Sequence, residues 1–286
     1  MIEAGGLSFE TDVCGSGEKL ALCLHGFPES KFSWRHQVPF LADLGYTVWA
    51  PNLRGYGKSS RPAERSAYAL PELIGDVVAL TEVAAQEGLQ PSLLVAHDWG
   101  GAIAWSSLIT GAVSFERFIP MNMPHPLLFR RGVLRPRQFL RSWYILFFQI
   151  PWLPEWGLRL NDANGIRKSF YKMAVDKSRF PDEVLDHYAA LAQEPGALTA
   201  MLNYYRAALP SFWSTPLNQK LDTPTLLIWG EEDIALGTEL NIGVEDLVED
   251  LTYRLVPGIS HWIQQEAPEI VNGLIAEWLG EAGALD

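Results

Sequence analysis

Asp98 stands at the centre of Leu93-Leu94-Val95-Ala96-His97-Asp98-Trp99-Gly100-Gly101-Ala102, an apolar strand that runs into a sharp turn with a helix opening behind it. Ala96 and Gly100 flank it symmetrically. So tight a strand-to-helix elbow has no room for bulk at those two positions, and it holds the central side chain exposed and strained at the top of a sheet. Serine hydrolases place Ser at such a tip, as G-x-S-x-G; here the tip is a carboxylate. A carboxylate attacking carbon forms an ester, so the substrate must carry a leaving group that can be displaced at carbon. An Asp after a strand also serves as an ordinary helix N-cap, and the order of its companions decides between the two readings.

A strand at 20–24 precedes His25-Gly26-Phe27-Pro28. Gly26 lets the backbone approach a ligand closely, and the amides of Phe27 and Trp99 would form an oxyanion hole; the plainer reading is a Gly-Pro turn. Later, Leu226-Leu227-Ile228-Trp229-Gly230 ends in Glu231-Glu232-Asp233. Asp233 suits the turn best of the three acids and would orient a histidine and stabilise its imidazolium. A strand at 253–256 then leads into Pro257-Gly258-Ile259-Ser260-His261-Trp262, where His261 would activate water. Nucleophile, acid, histidine is the chain order of the α/β-hydrolase triad. His25 reads as a structural hydrogen-bonding residue and His97 as a core position pointing away from the tip. His36, His125 and His187 lack comparable surroundings.

An Asp at the tip still permits two reactions. Dehalogenation of a haloalkane or haloacid needs a cradle for the departing halide. Opening an epoxide needs an acidic donor, such as Tyr, at the departing oxygen. Candidates are Tyr144, within an aromatic run, and the pair Tyr204-Tyr205; a single Tyr in such a helix is ordinarily packing. Trp143, Phe148, Trp262 and Pro28 are candidate substrate-lining residues, and the abundance of aromatics in residues 124–215 suggests an apolar substrate.

Together these stretches resemble an epoxide hydrolase of the α/β-hydrolase superfamily. The matching segments are His25-Gly26-Phe27-Pro28-Glu29, Arg54-Gly55-Tyr56-Gly57-Lys58-Ser59, His97-Asp98-Trp99-Gly100-Gly101, Phe147-Phe148-Gln149-Ile150-Pro151 and Asn203-Tyr204-Tyr205-Arg206, with the surroundings of Asp233 and His261. They extend from about residue 7 to about 280. The resemblance maps the family's two ring-opening tyrosines onto Tyr144 and Tyr205, with Tyr204 the residue most easily confused with the second. It implies a vicinal diol product, a covalent Asp98 ester and no metal or organic cofactor. Asn52 departs from the pattern, since relatives often carry Asp there. The alternatives are a dehalogenase using the same nucleophile and, from another class, a small-molecule receptor with an idle site.

The elements that must position these residues alternate. Strands are predicted at 7–9, near Thr11, and at 20–24, 47–50, 92–97 and 118–121, with helices at 34–44, 71–87 and 101–110. This alternation reads as a mostly parallel sheet flanked by helices. Residues 124–215 break it with Pro124, Pro126, Pro136, Pro151, Pro154 and helical periodicity at 166–174 and 181–192. The expected organisation is therefore a core at 1–123 and 216–286, with a helical cap inserted at 124–215 and ligand between the two. After Thr223-Pro224 the order expected is strand, helix, strand and a terminal helix at 268–279.

The 286 residues carry a net charge of −12, which argues against nucleic acid as a partner. Cys14 and Cys23 have neither metal-ligand nor disulfide spacing and read as buried reduced thiols. The first six residues show no leader, so a cytoplasmic location is expected, and the expected assembly is a monomer or homodimer. The run from Trp143 to Pro154 is too short to span a bilayer. With Arg130, Arg131, Arg135, Arg137 and Arg141 beside it, it suits either a membrane surface or a lid with one face toward substrate, and the lid is the preferred reading.

Overall fold

The computed structural model describes residues 1–217 and 219–281, so residues 218 and 282–286 of the expected third segment lie outside the described part. Its strands are β1 (Ile2–Ala4), β2 (Leu7–Phe9), β3 (Thr11–Cys14), β4 (Lys19–Leu24), β5 (Tyr46–Pro51), β6 (Gln90–His97), β7 (Arg117–Met121), β8 (Thr225–Gly230) and β9 (Leu251–Val256). β1 and β2 form a separate hairpin. The other seven form one sheet in the order β3-β5-β4-β6-β7-β8-β9, antiparallel only at β3.

Both faces of this sheet are apolar because both are covered. Along β4, Leu20, Leu22 and Leu24 join one core while Ala21 and Cys23 join the other. β6 divides in the same way, with Leu94 and Ala96 on one face and Leu93 and Val95 on the other. The helices are α1 (Gln37–Asp43), α2 (Leu70–Gln86), α3 (Asp98–Ile109), α4 (Pro126–Gly132), α5 (Pro136–Arg141), α6 (Trp143–Phe147), α7 (Leu153–Met173), α8 (Asp182–Gln193), α9 (Ala197–Asn203), α10 (Leu209–Ser214), α11 (Ile263–Glu266) and α12 (Pro268–Glu281). Those from α4 to α10 follow one another between β7 and β8. A widened turn of i→i+5 type, Tyr204–Ala208, joins α9 to α10.

Four local expectations need correction. β2 lies outside the main sheet, because its partner is the N-terminal strand β1, which the sequence did not announce. Helix α1 begins only at Gln37, after a separate 3₁₀ turn at Lys31–Trp34 capped by the Ser30 hydroxyl. No α-helix joins β8 to β9 among the described residues. Two 3₁₀ turns, Thr238–Asn241 and Val244–Asp246, take its place, set off by Gly237 and by Gly243 at φ +92°. Finally, Cys23 is buried but Cys14, on the edge strand, is only half-buried.

Candidate active site

The elbow after β6 turns within one residue. Asp98 has φ +46°, a left-handed conformation that a side chain adopts only at a cost the surroundings must offset. A Cβ on Gly100 would sit 2.1 Å from the Leu24 carbonyl oxygen, and one on Gly26 would sit 2.4 Å from the Asp98 Cβ. Both positions therefore demand glycine. The first residue of α3 is Asp98 itself, so the carboxylate stands where the helix's early amides lack carbonyl partners. The Phe27 amide donates to Asp98 Oδ1 at 2.7 Å. The Trp99 amide belongs to the same unpaired first turn of α3.

Asp98 Oδ2 faces His261 Nε2 at 3.6 Å, while His261 Nδ1 donates to Asp233 Oδ2 at 2.6 Å. Asp233 is held on all sides. Its Oδ1 accepts from the amides of Ala235 and Leu236, and its Oδ2 also accepts from Asn122 Nδ2 at 2.7 Å. Asn122 in turn accepts from the Gly230 amide, which locks the end of β7 to the acid-bearing loop. Burial alone would lower the His261 pKa, but the Asp233 and Asp98 carboxylates on either side raise it to about 10. Burial would raise the Asp98 pKa; His261, His97 and the Phe27 amide reverse this and hold it below the ordinary value. The resting site is thus a carboxylate beside an imidazolium.

Behind His261 lies a second polar layer. His97, fully buried, donates from Nε2 to the His261 carbonyl oxygen at 2.8 Å and shares Nδ1 with Glu29 Oε2. Glu29 also accepts from the Gly26 amide and from the side chains of Gln264 and Gln265. Burial raises its pKa, but His97 and the other donors bring it below the usual value. His25 donates to the Gly26 carbonyl and accepts from the Leu53 amide, which is structural bonding at a turn.

Tyr144, on α6, and Tyr205, on the widened turn, line the same cavities as Asp98. Their rings meet at 6.0 Å between centroids, nearly perpendicular. Burial, with Asp98 and Asp233 nearby, pushes the Tyr144 phenol well up. Burial with Asp98 and Tyr144 does the same to Tyr205, the Trp99 indole opposing it. Both phenols stay protonated and so keep a hydrogen to donate. The hydroxyl of Tyr204 points elsewhere and donates to the Arg54 carbonyl at 2.8 Å. Gln149 donates to the carbonyls of Ile145 and Tyr205, and Arg206 donates to those of Phe148 and Ile150 while pairing with Glu155. These bonds staple the two tyrosine-bearing segments together.

Two chambers meet at Asp98, Tyr144 and Tyr205, which line both. The larger, about 240 Å³, is walled by Phe27, Pro28, Trp143, Phe148, His261 and Trp262 with Ser169, Met173 and Ala235. The smaller, about 40 Å³, is walled by Trp99, Ala102, Met123, Phe129, Ile145 and Leu236. Of the catalytic, oxyanion-hole and substrate-lining candidates, all but Asp233, which stands behind His261, line one or both chambers. Sequence reading did not single out Asn122 or Gln264 and Gln265, and it gave Glu29 no role. Glu29 had one signal, an acid inside a loop otherwise built to be buried. Asn52 Nδ2 donates to Glu10 Oε2, a bond that an Asp could not make, so the departure at this position suits its neighbour. Among the described residues no cluster of His, Cys, Asp and Glu could hold a metal ion, and no helix is long and apolar enough to cross a membrane.

Residues 21–268 match the family model of the alpha/beta hydrolase fold. Epoxide hydrolase 4 of Mus musculus is 37% identical over 98% of this chain and 78% of its own length. AB hydrolase superfamily protein YfhM of Bacillus subtilis is 36% identical over 97% of this chain and 96% of its own. The structure of Bacillus megaterium epoxide hydrolase in complex with an inhibitor superposes with a TM-score of 0.86 at 27% identity, covering 98% of this chain and 99% of that one.

Proposed function

Because the chain belongs to the alpha/beta hydrolase family, among its epoxide hydrolases, we propose that it converts an apolar epoxide to a vicinal diol through an ester on Asp98. It is a hydrolase of ether bonds; the roles of its residues are our reading. The observation that carries the reading is the division of the Asp98 carboxylate. Oδ1 lies in the grip of the Phe27 amide, where an ester carbonyl oxygen would lie, and Oδ2, with no backbone donor among the described residues, faces the histidine. We read residues 124–215 as the cap that covers this site.

In the first step Asp98 Oδ2 bonds to one epoxide carbon, the ring carbon–oxygen bond breaks, and the oxygen takes a proton from the tyrosine pair. An alkoxide leaves poorly, so a donor at that oxygen is indispensable. Alkylation also removes the charge on Asp98. His261 then lies beside one carboxylate instead of two, its pKa falls, and the proton it gives up restores the phenol. Neutral His261 next takes a proton from water, and the hydroxide adds to the ester carbonyl. The oxyanion forms at Oδ1 within reach of the Phe27 amide, with the Trp99 amide as second donor. Collapse expels the diol, whose oxygen takes the carboxyl proton, and leaves Asp98 ionised beside protonated His261.

The chambers support a substrate class. A 40 Å³ apolar space admits a small group, while the aromatic chamber accepts a bulky one. Terminal epoxides bearing one large apolar substituent fit this division. A single turnover in ¹⁸O-labelled water, with enzyme in excess, tests the covalent step. We expect largely unlabelled diol and an Asp98 peptide carrying the label; fully labelled first-turnover diol would mean direct attack by water.

A further inference from the structure

Helices α5 and α6 are clothed on two sides. Inward, Gln138, Ser142, Ile145 and Phe148 are buried at helical spacing. Outward, Phe139, Trp143, Leu146 and Ile150 recur at the same spacing with Leu140 beside them, and these five are between 43% and 73% exposed. Five large apolar side chains exposed together on one face mark an interaction surface. Its charge says with what. In a chain with 34 Asp and Glu, none occurs from residue 117 to 154, whereas Arg135 and Arg137 are exposed at the start of α5. The only ion pair of Arg137 among the described residues is a 4.0 Å approach to Glu239, and its side chain is 77% exposed.

We propose that this face docks on an anionic lipid bilayer. The aromatic and aliphatic side chains would enter the headgroup boundary, and the guanidiniums would meet the phosphates, a combination suited to interfacial binding. A second copy of the chain is the less suitable occupant, because a two-fold contact pairs this patch with itself, and the segment from 117 to 154 has no carboxylate to offer Arg135 and Arg137. Trp143 is 61% exposed on the patch and also lines the larger chamber. A wall of the chamber therefore belongs to the docking face, where an apolar epoxide dissolved in lipid would arrive. That delivery rests on the function proposed above; the docking does not.

The test sediments the full chain, without substrate, with vesicles of phosphatidylcholine alone or mixed with phosphatidylglycerol. We expect binding to the mixed vesicles, weakened by salt, and much weaker binding to the neutral ones. Each basic residue near an anionic surface strengthens binding roughly fivefold, so Arg135→Glu with Arg137→Glu should weaken it by at least about twentyfold. Leu140→Ser with Leu146→Ser should weaken it at least about tenfold. Neither pair lines the chambers, so turnover of a water-soluble epoxide should stay at the wild-type level and report that the variants are folded. Absence of binding to both kinds of vesicle, or binding indifferent to both pairs of substitutions, would overturn the proposal. So would a dimer in solution that Leu140→Ser dissociates.

Discussion

Removing the charge on Asp98 should release the proton on His261. Asp98→Ala and Asp98→Asn both do this without substrate, the second keeping the shape that a neutral ester would have. In the intact site His261 has a pKa of about 10, between Asp233 at 2.6 Å and Asp98 at 3.6 Å. With an effective dielectric constant of about 20, a unit charge at the longer distance is worth roughly 4–5 kcal/mol, or about three pKa units. Water admitted by the smaller side chain weakens this figure, so a fall of roughly one to three units is expected. NMR titration of the histidine ring signals, with His261→Gln to assign the resonance, measures it directly. The same linkage appears in stability. An unfolded histidine titrates near 6.5, so the folded state holds an extra proton between that value and about 10. The stabilisation is complete below pH 6.5 and disappears as pH rises through 10, by about 4–5 kcal/mol in all. Wild type should therefore lose more melting temperature between pH 7 and 10 than Asp98→Ala does. A midpoint that stays near 10 in both variants would show that Asp233 alone holds the proton. The idea that alkylation frees the base would then fail.

His261→Gln should separate the half-reactions, and mass spectrometry should find an adduct of protein plus epoxide; a folded variant that forms none would remove His261 from the hydrolytic step. Tyr144→Phe and Tyr205→Phe should each slow alkylation by roughly ten- to a thousandfold, and the double variant should be nearly inactive. Tyr204→Phe should cost about 1 kcal/mol through its lost bond to Arg54 and leave single-turnover rates near wild type. Leu236→Ala should enlarge the small chamber at a cost of about 2–4 kcal/mol in thermal unfolding. It should raise kcat/KM for a 1,2-disubstituted epoxide relative to a terminal one; an unchanged ratio would mean that no substituent enters there.

The triad and the Phe27 loop are legible in the sequence because each follows a strand, and parallel strands all deliver their ends to one edge. Asp98, Asp233 and His261 stand after β6, β8 and β9, so chain order alone predicts that they meet. Gly26 and Gly100 announce themselves because their sites exclude a Cβ. Asn122 is less visible. It also follows a strand, β7, but an Asn at a left-handed turn is ordinary, and only its contact with Asp233 gives it meaning. The choice between Tyr204 and Tyr205 is beyond helical periodicity, since the i→i+5 turn on which both sit alters the angle between them. The division of the cavity is likewise unreadable. Its walls combine residues from α3, α4 and α6 with the loops after β7 and β8, and no local pattern records how such distant segments pack.

The staple made by Gln149 and Arg206 has a consequence for timing. The nucleophile sits on the sheet, while both phenols belong to one stapled body that lies over it. If that body lifts to admit a substrate, both proposed donors to the epoxide oxygen leave together, and the Asp98 nucleophile is left with no acid to assist ring opening. An open molecule is therefore unable to start the reaction on whatever drifts in. Commitment of the enzyme to a covalent bond becomes contingent on enclosure, and a substrate too bulky to let the helices settle is rejected before it can modify Asp98.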